Sequence, residues 1–384
     1  LESVTHLVAL SLPRTDALVE AIARAFAEGD AVAVLDPSWT EATRAARLEA
    51  IGADVLVDEE GAHRLAPAPR DPWPIGRGPR VVITTSGTTG DPKAIVLGHA
   101  ELTASAHAVA SRLAITSQDA WVCPISPAYI GGLAVITRSL LLGNRVMLTA
   151  GFDQNAIDRA IDEGATLGVA VTSALGSVDL GRLRRVLLGA QPPPEALPRN
   201  AVVTYGMTET GSGVVYDGIP LEGVEVRLVE GRIAIRGPMV ARHRRDGTPL
   251  VDGDGWLLTS DLGRIADGRV EVLGRADEVI NQGGRKIHPE RVEAACRRAL
   301  GARVGEVCAI GLPDSRLGER VTLLVTGEPP DPALLAEALT ELEPWERPRR
   351  VLRVAALERT DTGKLRRRVM ARRLGAQSAS AAGS

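Results

Sequence analysis

The sequence predicts an α/β protein. It should have a large N-terminal domain of parallel-type sheets with helices, a small β-barrel-like part within that domain, and a small α+β C-terminal domain. Three observations carry this prediction. In the first half, short apolar runs rich in valine, leucine and alanine alternate with helical patterns, as buried parallel strands do. After about residue 215 the apolar runs are joined by short Gly/Asp turns with no helical pattern between them, which suggests a small antiparallel sheet or barrel. From about residue 278 the order reads β-α-β-α-β.

Thr15 or Asp16 can cap a first helix that runs to about Ala27 and stops at Gly29. AVAVLD (31–36) reads as a buried strand, a helix follows from about Glu41 to Ala50, and ADVLVD (53–58) and VVITT (81–85) are further strands. DAWVCP (119–124), NRVMLTA (144–150), ATLGVAV (165–171), RRVLLGA (184–190) and AVVTYG (201–206) continue the series, with helical segments between several of them. VEVRLVEGRIAIRG, GWLLTSDLGRI and RVEVLGR make up a β-rich subregion over 214–273. Beyond it PERVEAACRRAL is a helix opened by Pro289 at its first turn, EVCAIG and RVTLLVTG are strands, DPALLAEALTEL is a helix and RVLRVAA a strand. The stretch 375–384, GAQSASAAGS, is small and polar and is expected to be disordered. The 384 residues suit two or three domains at roughly 100–200 residues each.

Composition narrows the function. A net charge of -3 argues against bulk electrostatic binding to nucleic acid. No run of eighteen apolar residues exists, so no membrane helix is expected, and the start of the chain lacks the basic lead of a signal peptide. Cys123, Cys296 and Cys308 form no CxxC pair, which suits buried thiols in a reducing cytoplasm. Self-association as a homo-oligomer stays open at this level. Of the 45 basic residues only three are lysines, Lys93, Lys286 and Lys364. A chain that uses arginine almost everywhere else invites the question of what those three positions need from a compact ammonium group.

The strongest local signal is TTSGTTGDPKA (84–94), directly after the VVITT strand. Thr85, Ser86, Gly87, Thr88, Thr89 and Gly90 combine hydroxyls with glycines whose backbone can approach and cradle phosphate oxygens, and Lys93 adds a positive charge. It is not a Walker loop, and the bland reading is a surface hairpin. A second signal, TYGMTETG (204–211), lies at a strand end, where open α/β sheets bind ligands. Tyr205 could stack on a base, and Glu209 could hold magnesium on phosphate oxygens. In the third, GWLLTSDLG (255–263) and GRADEVINQGGRKIHPERVE (274–293), Asp261 and Arg275 could grip vicinal hydroxyls, while Gly283 and Gly284 leave the backbone free to swing or to pass a thin ligand. The fourth, RTDTGKLRRR (359–368), sets Lys364 on a turn before a basic helix.

Together and in this order these motifs resemble the adenylate-forming superfamily of acyl- and aryl-CoA ligases, nonribosomal adenylation domains and luciferases, from about residue 80 to 370. The resemblance implies that a carboxylate attacks the α-phosphate of ATP, giving an acyl-adenylate and pyrophosphate, and that coenzyme A then displaces AMP. It implies Ser86, Thr88, Thr89, Gly90 and Lys93 around the β,γ-phosphates. Tyr205 would stack on adenine, opposite Gly189, Ala190 and Gln191. Thr208 would meet the α-phosphate, Glu209 a magnesium ion, and Asp261 with Arg275 the ribose. Lys364 would bridge carboxylate and phosphate. Asp277 would be a hinge between residues 1–276 and 278–374, about which the C-terminal domain exchanges the Lys364 loop for the CoA-side segment holding Gly283, Gly284 and Lys286.

A phosphate loop so early in the chain is similar to the compact o-succinylbenzoate–CoA ligases of menaquinone biosynthesis. The stretch AYIGGLAVITRSLLLGNRVML (128–148) looks like their acyl-pocket helix, with Tyr129, Gly131, Gly132 and Arg138 around a small aromatic carboxylic acid. A buried arginine there would pair the carboxylate that is not adenylated. The sequence departs from the family at Tyr129 (often histidine), Leu188 and Ser260 (each glycine), and Thr172-Ser173 (Pro-Thr). Other readings are a different small aryl- or acyl-CoA ligase, and a non-catalytic nucleotide-binding homologue.

Overall fold

The computed structural model describes residues 6–65, 80–86, 92–189, 196–300, 304–330, 335, 339–360 and 364–381. The chain divides into two compact units. One comprises Leu1–Arg227, Ala234–Leu258 and Asp267–Val270, the other Leu228–Ile233, Thr259–Ala266 and Glu271–Ser384.

The first unit holds two sheets. One is built from β1 (Leu7–Leu10), β2 (Ala31–Val34), β3 (Val55–Asp58), β4 (Gly61–Arg64), β5 (Arg80–Ser86) and β6 (Pro92–Leu97), in the order β4-β3-β1-β2-β5-β6. Its centre is parallel and only the edge strands β4 and β6 run antiparallel. β2 is buried along its whole length, as its unbroken AVAV run requires. Helix α1 (Asp16–Glu28) covers the sheet with Leu18, Ile22 and Ala25, and ends where Gly29 takes a left-handed φ of 83°. Helix α2 (Glu41–Ile51) is capped by Thr40, whose hydroxyl accepts from the Thr43 N–H.

The second sheet contains β7 (Ala120–Cys123), β8 (Arg145–Leu148), β9 (Leu167–Val171), β10 (Arg185–Gly189), β11 (Ala201–Met207), β12 (Ser212–Tyr216) and β13 (Ile219–Pro220). Its order is β13-β12-β11-β10-β9-β7-β8, parallel from β8 to β11 and antiparallel beyond. Helices α3 (His99–Leu113), α4 (Ile130–Leu142) and α5 (Gln154–Asp162) belong to this unit, and α3 packs on α4. α4 is buried on nearly every side from Gly132 to Ser139, as a helix hydrophobic all round must be.

The turn-rich stretch forms a four-stranded sheet: β14 (Glu225–Val229), β15 (Arg232–Arg236), β16 (Leu257–Ala266) and β17 (Arg269–Arg275), in chain order. Of the two forms expected for this stretch, a small sheet or a barrel-like part, the described strands make the open sheet. A barrel with room for side chains inside takes about eight strands, and four in linear order leave β14 and β17 as edges.

In the second unit, β18 (Ile280–Gln282), β19 (Arg285–Ile287), β20 (Val307–Asp314), β21 (Gly318–Val325) and β22 (Arg350–Arg353) form one sheet, with β22 parallel to β21. Helix α6 (Pro289–Leu300) belongs to a core on one face with Val292, Ala295, Val307, Ala309 and Leu323. Alternate residues Cys308, Ile310, Leu312 and Leu324 turn to the other face, against Met370 of α7 (Arg367–Ala381). Helix α7 runs on through Gly375 to Ala381, into the stretch expected to be disordered; alanine, serine and glutamine there are compatible with continuing a helix already anchored by Met370. Most of the expected DPALLAEALTEL helix lies outside the described residues. All three cysteines are buried and unpaired. Among the described residues no helix is long and apolar enough to cross a membrane.

Candidate functional site

In the second sheet β7 to β11 run parallel, so the loops after Cys123, Val171, Gly189 and Met207 all leave from one edge. That is the edge where open α/β sheets bind ligands. Thr208 and Glu209 occupy a single 3-10 turn, Thr208–Thr210, immediately after β11. The turn is held by Thr210, a buried residue that motif reading did not single out. Its hydroxyl accepts from the Met207 N–H at 2.9 Å and donates to the Ser212 carbonyl at 2.7 Å. A bulge between Tyr205 and Gly206 re-aims this end of β11, and a Cβ on Gly206 would overlap the Ser212 carbonyl. Gly189 is tight for a similar reason, since a Cβ there would stand 2.7 Å from Thr204 Oγ1. Glycine at 189 and 206 therefore lets three backbone segments converge beside Tyr205.

The described ends of the phosphate-loop motif pair as the antiparallel strands β5 and β6. Thr85 faces Lys93 across β5 and β6, the Thr85 hydroxyl lies 3.4 Å from the Lys93 carbonyl, and Ser86 faces Pro92. Gly87, Thr88, Thr89 and Gly90 lie outside the described residues, as do Ala190 and Gln191. The turn holding Glu209 rests against β6, and the Glu209 carbonyl accepts from Ala241 N–H at 2.8 Å. Among the described residues the Glu209 carboxylate has no hydrogen-bond or ion-pair partner, and no cluster of three or more His, Cys, Asp or Glu side chains could hold a metal. A lone carboxylate of this kind suits a magnesium ion that arrives on phosphate oxygens and keeps most of its ligands from substrate and water.

Tyr129 is the N-cap residue of α4. Of the two glycines after it, Gly132 is required by space, because its Cβ would meet the Ile125 carbonyl at 2.5 Å. Gly131 would make only ordinary contact with Ile125. Arg138 is 3% exposed, and burial alone pulls its pKa below the ordinary guanidinium range. Among the described residues no carboxylate pairs with it. Its Nη2 stands 3.4 Å from Ser212 Oγ, its guanidinium lies 5.5 Å from the centre of the Trp121 ring, and its Nε has no acceptor. Trp121 Nε1 and Ser139 Oγ are likewise buried without partners. A buried cation with no carboxylate partner among the described residues, over a tryptophan whose Nε1 is itself unsatisfied, is an expensive arrangement, and motif reading had no means of seeing Trp121 or Ser212 in it.

The second unit brings together another predicted group. Asp261 on β16 stands 3.5 Å from Arg275 at the end of β17. Arg275 also donates Nε to Asp277 at 2.9 Å, so the expected hinge residue is bound by the expected ribose residue. Burial works to lower the Arg275 pKa, but the Asp277 and Asp261 carboxylates outweigh it and leave the guanidinium more firmly protonated. Arg368 donates to the Asp277 carbonyl at 2.8 Å, and Arg367 bonds Glu278 at 2.6 Å and Glu293 at 2.8 Å. Gly283 and Gly284 are the two turn residues of the β18–β19 hairpin, with φ of 60° and 78°, which only glycine adopts at little cost. Lys286 is exposed on β19 opposite Asn281. Lys364 is exposed ahead of α7, where its N–H donates to Thr360 Oγ1 at 3.1 Å and its carbonyl accepts from Thr360 N–H at 2.8 Å.

Two family models match the chain: the AMP-binding enzyme over residues 58–243 and the AMP-binding enzyme C-terminal domain over 288–364. A probable 2-succinylbenzoate–CoA ligase of Mycobacterium tuberculosis is 38% identical over 328 residues, which covers 76% of this chain and 84% of the relative. The chain belongs to the AMP-binding, adenylate-forming enzyme family. The o-succinylbenzoate CoA synthetase of Bacillus subtilis in complex with its acyl-adenylate intermediate superposes with a TM-score of 0.82 at 24% identity, over 95% of this chain and 88% of that one. ATP-bound MatB from Rhodopseudomonas palustris gives the same TM-score, 0.82, at 20% identity over 97% and 89%. Two differently named proteins with one TM-score establish the shared fold and leave the choice of acid to the pocket.

Proposed function

We propose that this chain is an AMP-forming acid–CoA ligase that works through an acyl-adenylate, and that its acid is o-succinylbenzoate. The observation that carries the substrate assignment is Arg138, a buried guanidinium with no acidic partner among the described residues. A second substrate carboxylate would supply the missing charge. The 38% relative bearing the same substrate in its name supports the reading.

The chemistry then falls on the chain's own groups as follows. Tyr205 and Gly189, with Ala190 and Gln191, bound the adenine. Asp261 and Arg275 hold the ribose. Thr85, Ser86, Gly87, Thr88, Thr89, Gly90 and Lys93 surround the β,γ-phosphates, and Thr208 meets the α-phosphate. Glu209 is the residue that would hold magnesium brought in with ATP, which supplies charge neutralisation at the phosphates. Tyr129, Gly131, Gly132 and Arg138 orient the acid so that one carboxylate oxygen faces the α-phosphorus. A carboxylate O–P bond forms as the bond to pyrophosphate breaks, and Lys364 offsets the negative charge gathered there. In the second step the thiolate of coenzyme A attacks the acyl carbon and AMP leaves. Asp277 is the hinge between residues 1–276 and 278–374, and Gly283, Gly284 and Lys286 lie on the CoA side.

ATP–pyrophosphate exchange across a panel of carboxylic acids tests this. The response should be strongest with o-succinylbenzoate. A stronger response to plain benzoates or fatty acids would replace the substrate, and no response to any acid would remove the ligase reading in favour of a nucleotide-binding homologue.

A further inference from the structure

The loop after β2 and the loop after β7 meet, and one buried carboxylate joins them. Asp36 is 6% exposed and accepts from Ser126 Oγ at 2.6 Å, Ser38 Oγ at 2.7 Å and Arg14 Nη2 at 2.9 Å. Burial works to raise its pKa, but these bonds, Ser126 first, overcome it and leave the carboxyl at about 2. The bases of both loops are therefore fixed. Beyond that anchor Trp39 reaches across, and its Nε1 donates to the Tyr129 hydroxyl at 3.3 Å, with the two rings edge to face at 6.0 Å and 73°.

Trp39 is itself held. Arg47 of α2, 5% exposed, lies 4.1 Å over its ring. The same guanidinium donates Nη1 to Thr84 Oγ1 at 2.7 Å. Thr84 sits in β5 opposite Ala94, one residue before the Thr85–Lys93 pair. A continuous line of directional contacts thus runs Thr84, Arg47, Trp39, Tyr129, from the hairpin of the phosphate-loop motif to the N-cap of the helix that carries Arg138. Arginine is needed in it because one planar group both stacks on an indole and donates in its own plane, which an ammonium does not do. Tyrosine at 129 is a departure from the family's frequent histidine, and Trp39 supplies an indole N–H aimed at the oxygen that this departure introduces.

We propose that Trp39 and Arg47 are positioning residues for the acid: they hold the Tyr129 phenol at the pocket and couple its placement to the β5–β6 hairpin. The proposal rests on the ligase reading above and adds to it two residues from outside every motif.

The test is steady-state kinetics of Trp39→Phe, which removes the N–H and keeps an aromatic ring for Arg47, alongside Tyr129→Phe and the double variant. Trp39→Phe should raise KM for the acid by roughly threefold to tenfold, the worth of one hydrogen bond, with KM for ATP unchanged. Tyr129→Phe should do the same, and the double variant should lose no more than either single one. Thermal melts show whether each variant is folded. Should Trp39→Phe not fold, Thr84→Val takes its place: releasing the Arg47 anchor should also raise KM for the acid, and the effect should vanish in a Tyr129→Phe background. Additive losses, equal shifts in the two KM values, or no shift would overturn the proposal while the parent's activity left the ligase reading intact. A parent chain inactive with every acid would sink both.

Discussion

Replacing Arg138 by methionine removes a charge that the structure leaves uncompensated. The side chain is 3% exposed, its Nε has no acceptor among the described residues, and its Nη2 donates to Ser212 Oγ at 3.4 Å. Two effects compete in the empty enzyme. The substitution forfeits the stacking on Trp121, about 0.5–2 kcal/mol, and abolishes the desolvation penalty of an unpaired buried cation, which is several kcal/mol. The second is larger, so Arg138→Met should melt at the parent's temperature or above it. With substrate bound the balance reverses. A charge-assisted bond to a carboxylate is worth about 1.5–3 kcal/mol, so kcat/KM for o-succinylbenzoate should fall roughly tenfold to a hundredfold. A benzoate with a single carboxylate has nothing to lose, and its exchange rate should stay near the parent's. Parallel melts and ATP–pyrophosphate exchange on the two acids decide the matter. Equal loss on both acids, or a melting temperature that drops by several degrees, would refute the reasoning and make Arg138 a structural residue.

Lys364→Ala should abolish acyl-adenylate formation and spare thioester formation from supplied acyl-adenylate, measured as two separate half-reactions; equal loss of both would contradict a two-conformation cycle. Gly206→Ala should fail by crowding, because the added Cβ overlaps the backbone of Ser212 and Gly213, which cannot swing aside as a side chain would. A loss of about 1–3 kcal/mol or more is expected in denaturant melts, with adenylation falling as the Thr208–Thr210 turn shifts. Glu290 gives a pH dependence. Burial lifts its carboxyl from 4.5 to about 7, and its Oε2 has no partner. Below pH 4.5 folded and unfolded chains both carry the proton; from there to about 7 only the folded chain keeps it, so stability falls as pH rises. The loss should level off above pH 7 at about 3 kcal/mol, and Glu290→Gln should remove it in melts recorded from pH 4 to 8. A Gln variant with the parent's pH profile would count against the shift.

The order of elements was legible in the sequence because it rests on local chemistry. An unbroken AVAV run can only be a strand buried on both faces, and Gly29 closes α1 because it takes φ at 83° without strain. Leu18, Ile22 and Ala25 repeat at helical spacing and mark the face that must be covered. The motifs were legible for the same reason: the freedom read into Gly283-Gly284 is the positive φ that both residues take between β18 and β19, and Thr84 to Ser86 lie at the end of the apolar strand read at 81–85.

Partnership was not legible, because it depends on which distant side chains the sheets bring together. Asp277 could be read as a hinge by likeness, but not as an acceptor for both Arg275 and Arg368. Thr210, between two motif residues, looked like filler until its hydroxyl was seen to close the turn. Open closure of the β-rich stretch likewise depends on how many strands pair, which no turn residue encodes. The sequence alone determined much of the secondary structure, the motif order and the short list of charged residues, since each follows from spacing along the chain, while the helix running on to Ala381 was not among its expectations. Only the tertiary structure decided that Arg138 is buried with no carboxylate partner among the described residues and that Arg47 spans from Thr84 to Trp39, because burial and pairing are properties of space, and residues 37 positions apart in the chain have no reason in sequence to touch.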